Sequence, residues 1–393
     1  MATKVGIGFS QLASPLEAGR RATEQALEPL AGQEPDVVVL FSTTDLDPSQ
    51  VLASVRAVTG EVPLVGGCGS GIIVPQGASE SGVAVLALWS EEMQVIADIA
   101  PGVSQDPVGV GRALVRRLRA REEKAYRAAN GFLLVLESIQ NSEATAMVTV
   151  VEAMGDELGL LRQLVGGRAT TDINRSIFLN SEAYGDAVVA ALLLTPGPVG
   201  VGVKHGYQPL SRPLVVTRAE GSVLYELDGR SAFQAYVEQF PDHRELTLQN
   251  FGQFALDYPL GLPQMGREYI VRDPFGARPD GVLECAGLIP KHAVVRIMVG
   301  NQETMLQAAG EAAVEAMQPL GGRRPLLALV FSCVSRLGYL GPAAQQEVAL
   351  IREVVGSETP LIGLFSSGEI GAQRDSPPTL HNKTVLVGVI GET

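Results

Sequence analysis

The sequence is poor in cysteine, histidine and tryptophan. Its 393 residues include three Cys, four His and one Trp. The cysteines, Cys68, Cys285 and Cys333, lie far apart and form no CxxC pair. A small and odd number of cysteines argues against a disulfide framework and is typical of a reducing compartment. The four histidines show no spacing typical of metal ligands.

Motifs of well-known enzyme classes are also missing. The chain contains no Gly-Lys dipeptide, which excludes a phosphate-binding P-loop, and no HExxH or GxSxG sequence. Gly6 and Gly8 follow the first predicted strand, but Gln11 stands where a dinucleotide-binding fingerprint needs its third glycine. These absences favour a binding protein over an enzyme.

Positive charge and long hydrophobic runs are scarce as well. Lys and Arg number 30 against 43 Asp and Glu, a net charge of −13. This surface repels phosphate backbones and anionic lipids, so we expect no nucleic-acid partner and no membrane insertion. The longest apolar stretch, 187–203, is interrupted by Pro196, Gly197 and Pro198. The amino terminus lacks a secretory signal, and we therefore expect a cytoplasmic protein.

A repeat accounts for many of the glycines. Three similar glycine-containing segments, 63–71, 164–170 and 360–368, each follow a helical stretch. Each helical stretch follows an apolar strand ending in serine, at Ser42, Ser138 or Ser332. A further apolar strand comes after each glycine segment, at 83–89, 187–194 and 385–390. The matched order of elements indicates one unit used three times.

Each unit extends upstream by another strand and helix. The upstream strands are predicted at 4–10, 93–100 and 294–301, which places the units at about 4–90, 93–195 and 294–391. Ser14, Asp47 and Asp106 each precede a proline and read as helix N-caps. Alternating strands and helices predict an α/β fold of repeated strand–helix units with largely parallel mixed sheets.

Residues 200–293 break this rhythm. They hold ten of the 19 Phe and Tyr residues, and two short apolar strands flank a turn at Glu220 and Gly221. We interpret this region as an antiparallel α+β insertion. The predicted domains are 1–200, with two units, and 201–393, with the insertion and the third unit.

Small polar residues follow the predicted strands, where ligands of parallel α/β sheets bind. The candidate ligand-binding residues are Ser42, Thr43, Gly67, Cys68, Ser70, Cys333, Arg336, Ser367, Glu369 and Asn382. Arg336 and Glu369 are suited to the carboxylate and ammonium groups of an amino acid. The alternative is a structural salt bridge between them, with glycines that only stabilise turns.

Two further residue types leave alternatives open. Cys333 is a candidate nucleophile beside Arg336, or a buried cysteine acting as a small hydrophobic residue. His381 is a candidate ligand of a metal or haem, or a histidine bonded to its own loop.

At these residues the chain resembles the FIST proteins, which combine a FIST N and a FIST C domain. The more specific matches lie in the carboxyl-terminal half, at 206–210, 216–218, 224–229, 331–336, 363–370 and 381–384. The looser matches are 37–42, 66–71 and the glycines at 166 and 167. The resemblance implies an intracellular sensory module that binds small ligands such as amino acids. It also implies a haem-based nitric oxide sensor as an alternative, acting on a histidine kinase, with His205 or His381 as axial ligand.

The functional prediction is an intracellular sensor, not an enzyme, that binds an amino acid or similar metabolite and signals to a protein such as a histidine kinase. A haem-binding nitric oxide sensor is the second hypothesis, and an enzyme that uses Cys333 is the third.

Overall fold

The computed structural model describes residues 2–126, 129–139, 144–159, 162–170, 173–240, 246–264, 268–372 and 376–393. These residues form three α/β units and an antiparallel insertion, which confirms the α/β class with mixed sheets.

The first unit begins its helices where the sequence predicts. The Ser14 hydroxyl accepts a hydrogen bond from the Glu17 backbone N–H, and the Asp47 carboxylate accepts two from Ser49 and Gln50. These bonds satisfy N–H groups that have no partner inside a helix. The unit consists of β1 (Thr3–Ser10), α1 (Pro15–Leu27), β2 (Val37–Thr43), α2 (Pro48–Thr59), β3 (Leu64–Gly69), β4 (Gly71–Val74), β5 (Gly77–Ser79) and β6 (Val83–Ser90).

The second unit repeats this order of elements. Asp106 caps its first helix by accepting a hydrogen bond from the Gly109 N–H. The unit consists of β7 (Gln94–Pro101), α3 (Pro107–Ala120), β8 (Asn130–Ser138), α4 (Ala144–Leu158), β9 (Arg162–Arg168), β10 (Ile177–Leu179), β11 (Glu182–Tyr184) and β12 (Ala187–Thr195).

The insertion interrupts the third unit after its first strand, β13 (Val199–Lys204). Its described residues form a nine-stranded antiparallel sheet with two short helices. Its elements are β14 (Gln208–Pro209), β15 (Leu214–Glu220), β16 (Val223–Leu227), β17 (Arg230–Ser231), α5 (Ala232–Val237), α6 (Phe251–Ala255), β18 (Leu260–Leu262), β19 (Ile270–Arg272), β20 (Pro274–Ala277), β21 (Leu283–Cys285) and β22 (Val294–Val299).

The rest of the third unit follows the insertion. It consists of α7 (Gln302–Met317), β23 (Pro325–Cys333), α8 (Val334–Leu340), α9 (Ala344–Val355), β24 (Leu361–Ser366), β25 (Glu369–Gly371), β26 (Thr379–His381) and β27 (Val385–Gly391).

The three units exchange hairpins in a ring. Each unit builds a sheet from four of its own strands, and a hairpin of another unit completes that sheet to six strands. Hairpin β10–β11 of the second unit joins β3, hairpin β25–β26 of the third joins β9, and hairpin β4–β5 of the first joins β24. Strands of all three sheets enclose a common apolar core, in which Phe41 and Phe331 meet edge to face at 5.9 Å.

Two expectations about the third unit and the sheets need correction. The strand predicted at 294–301 is β22, which pairs within the insertion, and β13 takes the first position of the third unit beside β27. The sheets are also less parallel than predicted. One pair in each six-stranded sheet is parallel (β2–β3, β8–β9 and β23–β24), because the last long strand of each unit returns antiparallel between its first and second.

Candidate functional site

The ends of the parallel strands place equivalent residue pairs side by side in the three units. The cross-strand pairs are Ser42 with Cys68, Glu137 with Arg168, and Ser332 with Phe365. The side chains at this position of the fold therefore differ among the three units: a hydroxyl and a thiol in the first, a carboxylate and a guanidinium in the second, and a hydroxyl and a phenyl ring in the third.

In the first unit most of the predicted residues are buried, and all of the hydrogen bonds described for them are to other protein groups. The Ser42 hydroxyl and the Cys68 thiol lie 3.2 Å apart, and burial raises the pKa of Cys68 to about 12. Thr43 exchanges hydrogen bonds with the backbone of Gly82. Gly67 lies in the buried strand β3, and Ser70 follows the end of that strand, where it is partly buried and its N–H donates to the Phe365 carbonyl of the third unit.

In the third unit the guanidinium of Arg336 makes its hydrogen bonds to other groups of the protein. Its guanidinium donates to the Glu347 carboxylate and to the backbone carbonyls of His205 and Met305, and Glu347 also accepts from Ser332. Arg336 and Glu347 are both fully buried. The alternative to a ligand role was a salt bridge between Arg336 and Glu369, whereas the structure pairs Arg336 with Glu347.

Glu369 and Cys333 form a separate buried group. The Glu369 carboxylate accepts hydrogen bonds from Ser366 (2.9 Å) and from the Thr384 hydroxyl (2.7 Å). Burial raises the pKa of Glu369 to about 8. Burial and the neighbouring Glu369 charge raise the pKa of Cys333 to about 12. A thiol in this environment stays protonated near neutral pH, which is the opposite of what nucleophilic catalysis requires.

Buried polar groups concentrate where the insertion covers the end of the third unit. Lys383 is 1% exposed, adopts a left-handed backbone conformation (φ 57°), and donates to the Leu256 carbonyl at 2.9 Å. Its ammonium lies 3.2 Å from Asp273 Oδ2, so this contact joins the third unit to the insertion. Cys333 and Tyr207 interact electrostatically with this group. We call Tyr207, Asp273, Cys333, Asn382 and Lys383 the junction cluster.

Three buried atoms at this junction have no hydrogen-bond partner: Asp273 Oδ1, Asn382 Oδ1 and His381 Nδ1. The nearby His205 Nε2 lies 3.6 Å from Glu268 Oε2. Buried polar atoms are nearly always paired in proteins, so unpaired ones mark strain, function or an absent small molecule.

Family models match most of the chain. The model described as FIST N domain matches residues 36–230, and the model described as FIST C domain matches residues 232–372.

The chain belongs to the FIST family.

FIST domains are small-ligand sensory domains of signalling proteins. Relatives of similar length are uncharacterized proteins of Mycobacterium tuberculosis (26% identical) and Mycobacterium bovis (27% identical), and each alignment covers 94% of both chains. An uncharacterized protein of Methanocaldococcus jannaschii is 31% identical over 31% of this chain and 26% of its own. Among solved structures, a cyanuric acid hydrolase aligns over the whole of both chains at 9% identity with a TM-score of 0.39. Thermotoga maritima PurLQS aligns with a TM-score of 0.26 at 11% identity, covering 100% of this chain and 72% of its own.

The two histidines predicted as haem ligands in this FIST chain, His205 and His381, do not fit haem. His205 Nδ1 accepts a hydrogen bond from the Tyr207 N–H, so the neutral ring carries its proton on Nε2 and has no lone pair left for iron. His381 Nε2 lies 3.2 Å from the Gly371 carbonyl, and this ring is 1% exposed. Burial lowers the pKa of His205 to about 4 and that of His381 to about 3. Neither ring has an open face for a cofactor within the described residues.

Two further observations on the FIST chain concern metal ions and membranes. Within the described residues, no cluster of His, Cys, Asp and Glu is arranged to hold a metal ion. The same residues include no helix long and apolar enough to cross a membrane.

A cavity of about 1030 Å³ lies between the second and third units, with Gln163, Val201 and Gln318 in its wall. None of the predicted site residues is among its described lining residues.

The structure brings together some of the predicted site residues and separates others. Cys333 and Asn382 belong to the junction cluster, and Glu369 interacts electrostatically with Cys333. Ser42 and Cys68 instead pack inside the first unit. The Ser367 N–H donates to the Arg168 carbonyl and so joins the second and third units.

Sequence reasoning did not select Lys383, Asp273 or Glu137 as site residues. Glu137 had a visible signal, because it is a charged residue within an apolar strand. The sequence aligns Ser138 with Ser42 and Ser332, whereas the strand register places Glu137 at their position. No local pattern in the sequence points to Asp273, because its contact with Lys383 spans more than a hundred residues.

Proposed function

We propose that this FIST protein is a sensor that binds an amino acid or similar small metabolite at the junction cluster and passes the signal to a protein partner such as a histidine kinase. The observation that carries this proposal is the group of buried, incompletely hydrogen-bonded polar side chains between the insertion and the third unit.

The energetic cost of this arrangement supports a ligand role. Lys383 and Asp273 form a largely buried ion pair, and removing two charges from water costs several kcal/mol per ion before their attraction is counted. Asp273 Oδ1 is nevertheless left without a hydrogen bond. Burial raises the pKa of Asp273, so the environment disfavours its charge. A ligand that bonds to Asp273 would relieve this cost.

The unpaired atoms define the ligand chemistry. Asp273 Oδ1 and Asn382 Oδ1 are hydrogen-bond acceptors, so a complementary ligand supplies N–H donors, as an ammonium group does. Lys383 supplies the positive charge for a carboxylate. The two groups together match the two ends of an amino acid.

Coupling to a partner follows from the position of the junction cluster. Asp273 and Tyr207 belong to the insertion, and Cys333, Asn382 and Lys383 belong to the third unit. A ligand that contacts both parts favours the arrangement in which they are closed together, and this shift in population is a signal that another protein can detect.

A thermal-shift screen of the full chain against amino acids and related metabolites tests the proposal. A ligand at one hundred times its dissociation constant adds about 2.7 kcal/mol of stability. We expect a stabilising ligand whose effect is lost in Asp273→Asn and Lys383→Met. The control is Glu284→Gln, which changes a carboxylate of the insertion that pairs with Arg278 on the surface. A ligand effect that survives both junction variants would refute the proposed location, and the absence of any stabilising compound would refute the sensor.

A further inference from the structure

Glu137 is a fully buried carboxylate without a hydrogen-bond partner. Its exposure is 0%, and neither Oε1 nor Oε2 has a partner. An unpaired buried carboxylate is costly in either protonation state, because both states leave polar atoms without hydrogen bonds. The proposed function does not use this residue.

Arg168 lies directly across from Glu137 on the neighbouring parallel strand. Adjacent strands are about 4.8 Å apart, and paired residues point to the same face of the sheet. Arg168 Nη2 donates to the Ile139 carbonyl at 2.9 Å, while its Nε is buried and unpaired. In the first unit the equivalent residues, Ser42 and Cys68, bond directly at 3.2 Å. In the second unit opposite charges stand side by side with unused hydrogen-bonding atoms.

We propose that Glu137 and Arg168 form a second ligand site, which binds a small molecule through a primary carboxamide. The amide N–H donates to the Glu137 carboxylate, and the amide carbonyl accepts from Arg168 Nε. Both bonds are charge-assisted and therefore stronger than bonds between neutral groups. A neutral amide loses less hydration on burial than a charged group does, which suits a site with no exposed carboxylate surface.

The position in the fold supports a site separate from the junction cluster. Glu137 and Arg168 lie at the carboxyl ends of β8 and β9, the edge where α/β sheets bind ligands. They belong to the second unit, whereas the junction cluster belongs to the insertion and the third unit. The second site therefore goes beyond the proposed function.

Matched pairs of amides and acids test this proposal on the full chain by calorimetric titration. The pairs are acetamide with acetate, nicotinamide with nicotinate, and benzamide with benzoate. At pH 8.5, where the Glu137 carboxyl is ionised, we expect at least one amide to bind and its acid to bind about 100-fold more weakly. The acid lacks the N–H donor and places a second negative charge beside Glu137. Glu137→Met and Arg168→Met should each remove amide binding. Arg116→Leu, which breaks an ion pair on the surface of the second unit, should leave it unchanged.

A second readout needs no ligand. The double variant Glu137→Met with Arg168→Met removes both buried charges and should raise the unfolding temperature of the free protein, whereas a structural pair would make the same variant less stable. If this double variant does not fold, the structural role is supported and the proposal fails. Equal binding of amides and acids, binding that persists in both Met variants, or no binding of any amide would each overturn it. Asp273→Asn should not affect amide binding, so failure of this site and failure of the junction cluster are distinguishable.

Discussion

Arg336 and Glu347 form an ion pair with no exposure to water, and breaking it should be costly. Arg336→Leu leaves the Glu347 carboxylate buried with Ser332 as its remaining donor. Removing one partner of a buried pair costs about 3–5 kcal/mol. We expect a loss of this size in urea unfolding. The control is Arg116→Leu, which breaks an exposed pair with Glu157 and should change stability little. Similar losses in both variants would contradict the prediction.

Glu137 should make the protein less stable as pH rises. Burial raises its folded-state pKa to about 7, above its value in the unfolded chain. Between these pKa values the folded state binds more protons than the unfolded state, so stability falls with rising pH. Arg168 opposes this shift and Asp186 adds to it.

Glu137→Gln should remove this contribution. The free energy of unfolding of the wild type, relative to the variant, should decrease by about 3 kcal/mol between about pH 4.5 and pH 7. Unfolding by guanidinium chloride at several pH values measures the difference. A constant difference across this range would show that the Glu137 pKa is not raised.

The buried cysteines should react slowly in the native protein. Burial raises the pKa of Cys333 and Cys68 to about 12 and that of Cys285 still higher, so thiolate is scarce at neutral pH. We expect little alkylation by iodoacetamide in buffer and modification of all three cysteines in urea, measured by mass spectrometry. Rapid modification of Cys333 alone would instead support the cysteine-enzyme hypothesis.

At the scale of elements, local sequence signals predicted the strands, the helix caps and the threefold repeat. Apolar runs ending in serine correspond to β2, β8 and β23, and the glycine segments correspond to β3, β9 and β24. Hairpin exchange was not predictable in this way, because β4 pairs with β24 almost three hundred residues away. The sequence predicts β22 as the first strand of the third unit for the same reason. Both β22 and β13 are short apolar segments, and only their pairing partners, β15 for β22 and β27 for β13, show which one belongs to that unit.

Alanine substitution at two glycines, Gly310 and Gly363, should change the stability of the protein in opposite directions. A Cβ at Gly310, within α7, would meet no atom within 4 Å, so Gly310→Ala should stabilise the protein by up to about 1 kcal/mol. A Cβ at Gly363, in β24, would lie 2.1 Å from the Val330 carbonyl oxygen of the neighbouring strand. Gly363→Ala should therefore destabilise by about 1–3 kcal/mol. Urea unfolding measures both, and equal effects would contradict the packing of β23 against β24.

At the scale of the molecule, the exchanged hairpins tie all three units together. The predicted domain boundary between residues 200 and 201 lies within β13, and it remains a prediction. The FIST N and FIST C models instead meet near residue 231. Hairpin β4–β5 of the first unit completes the sheet of the third, so the two ends of the chain share a sheet whichever boundary is used. We expect the units to fold together.

The single tryptophan makes this cooperativity measurable. Trp89 lies on β6 of the first unit, so its fluorescence follows that unit, while circular dichroism follows the whole chain. Phe178, on β10 of the second unit, is fully buried and packs with the core of the first unit. Phe178→Ala should remove about 3–5 kcal/mol. If the exchanged hairpins couple the units, both probes should move to the same lower urea midpoint; a change in the fluorescence transition alone would show that the first unit unfolds independently.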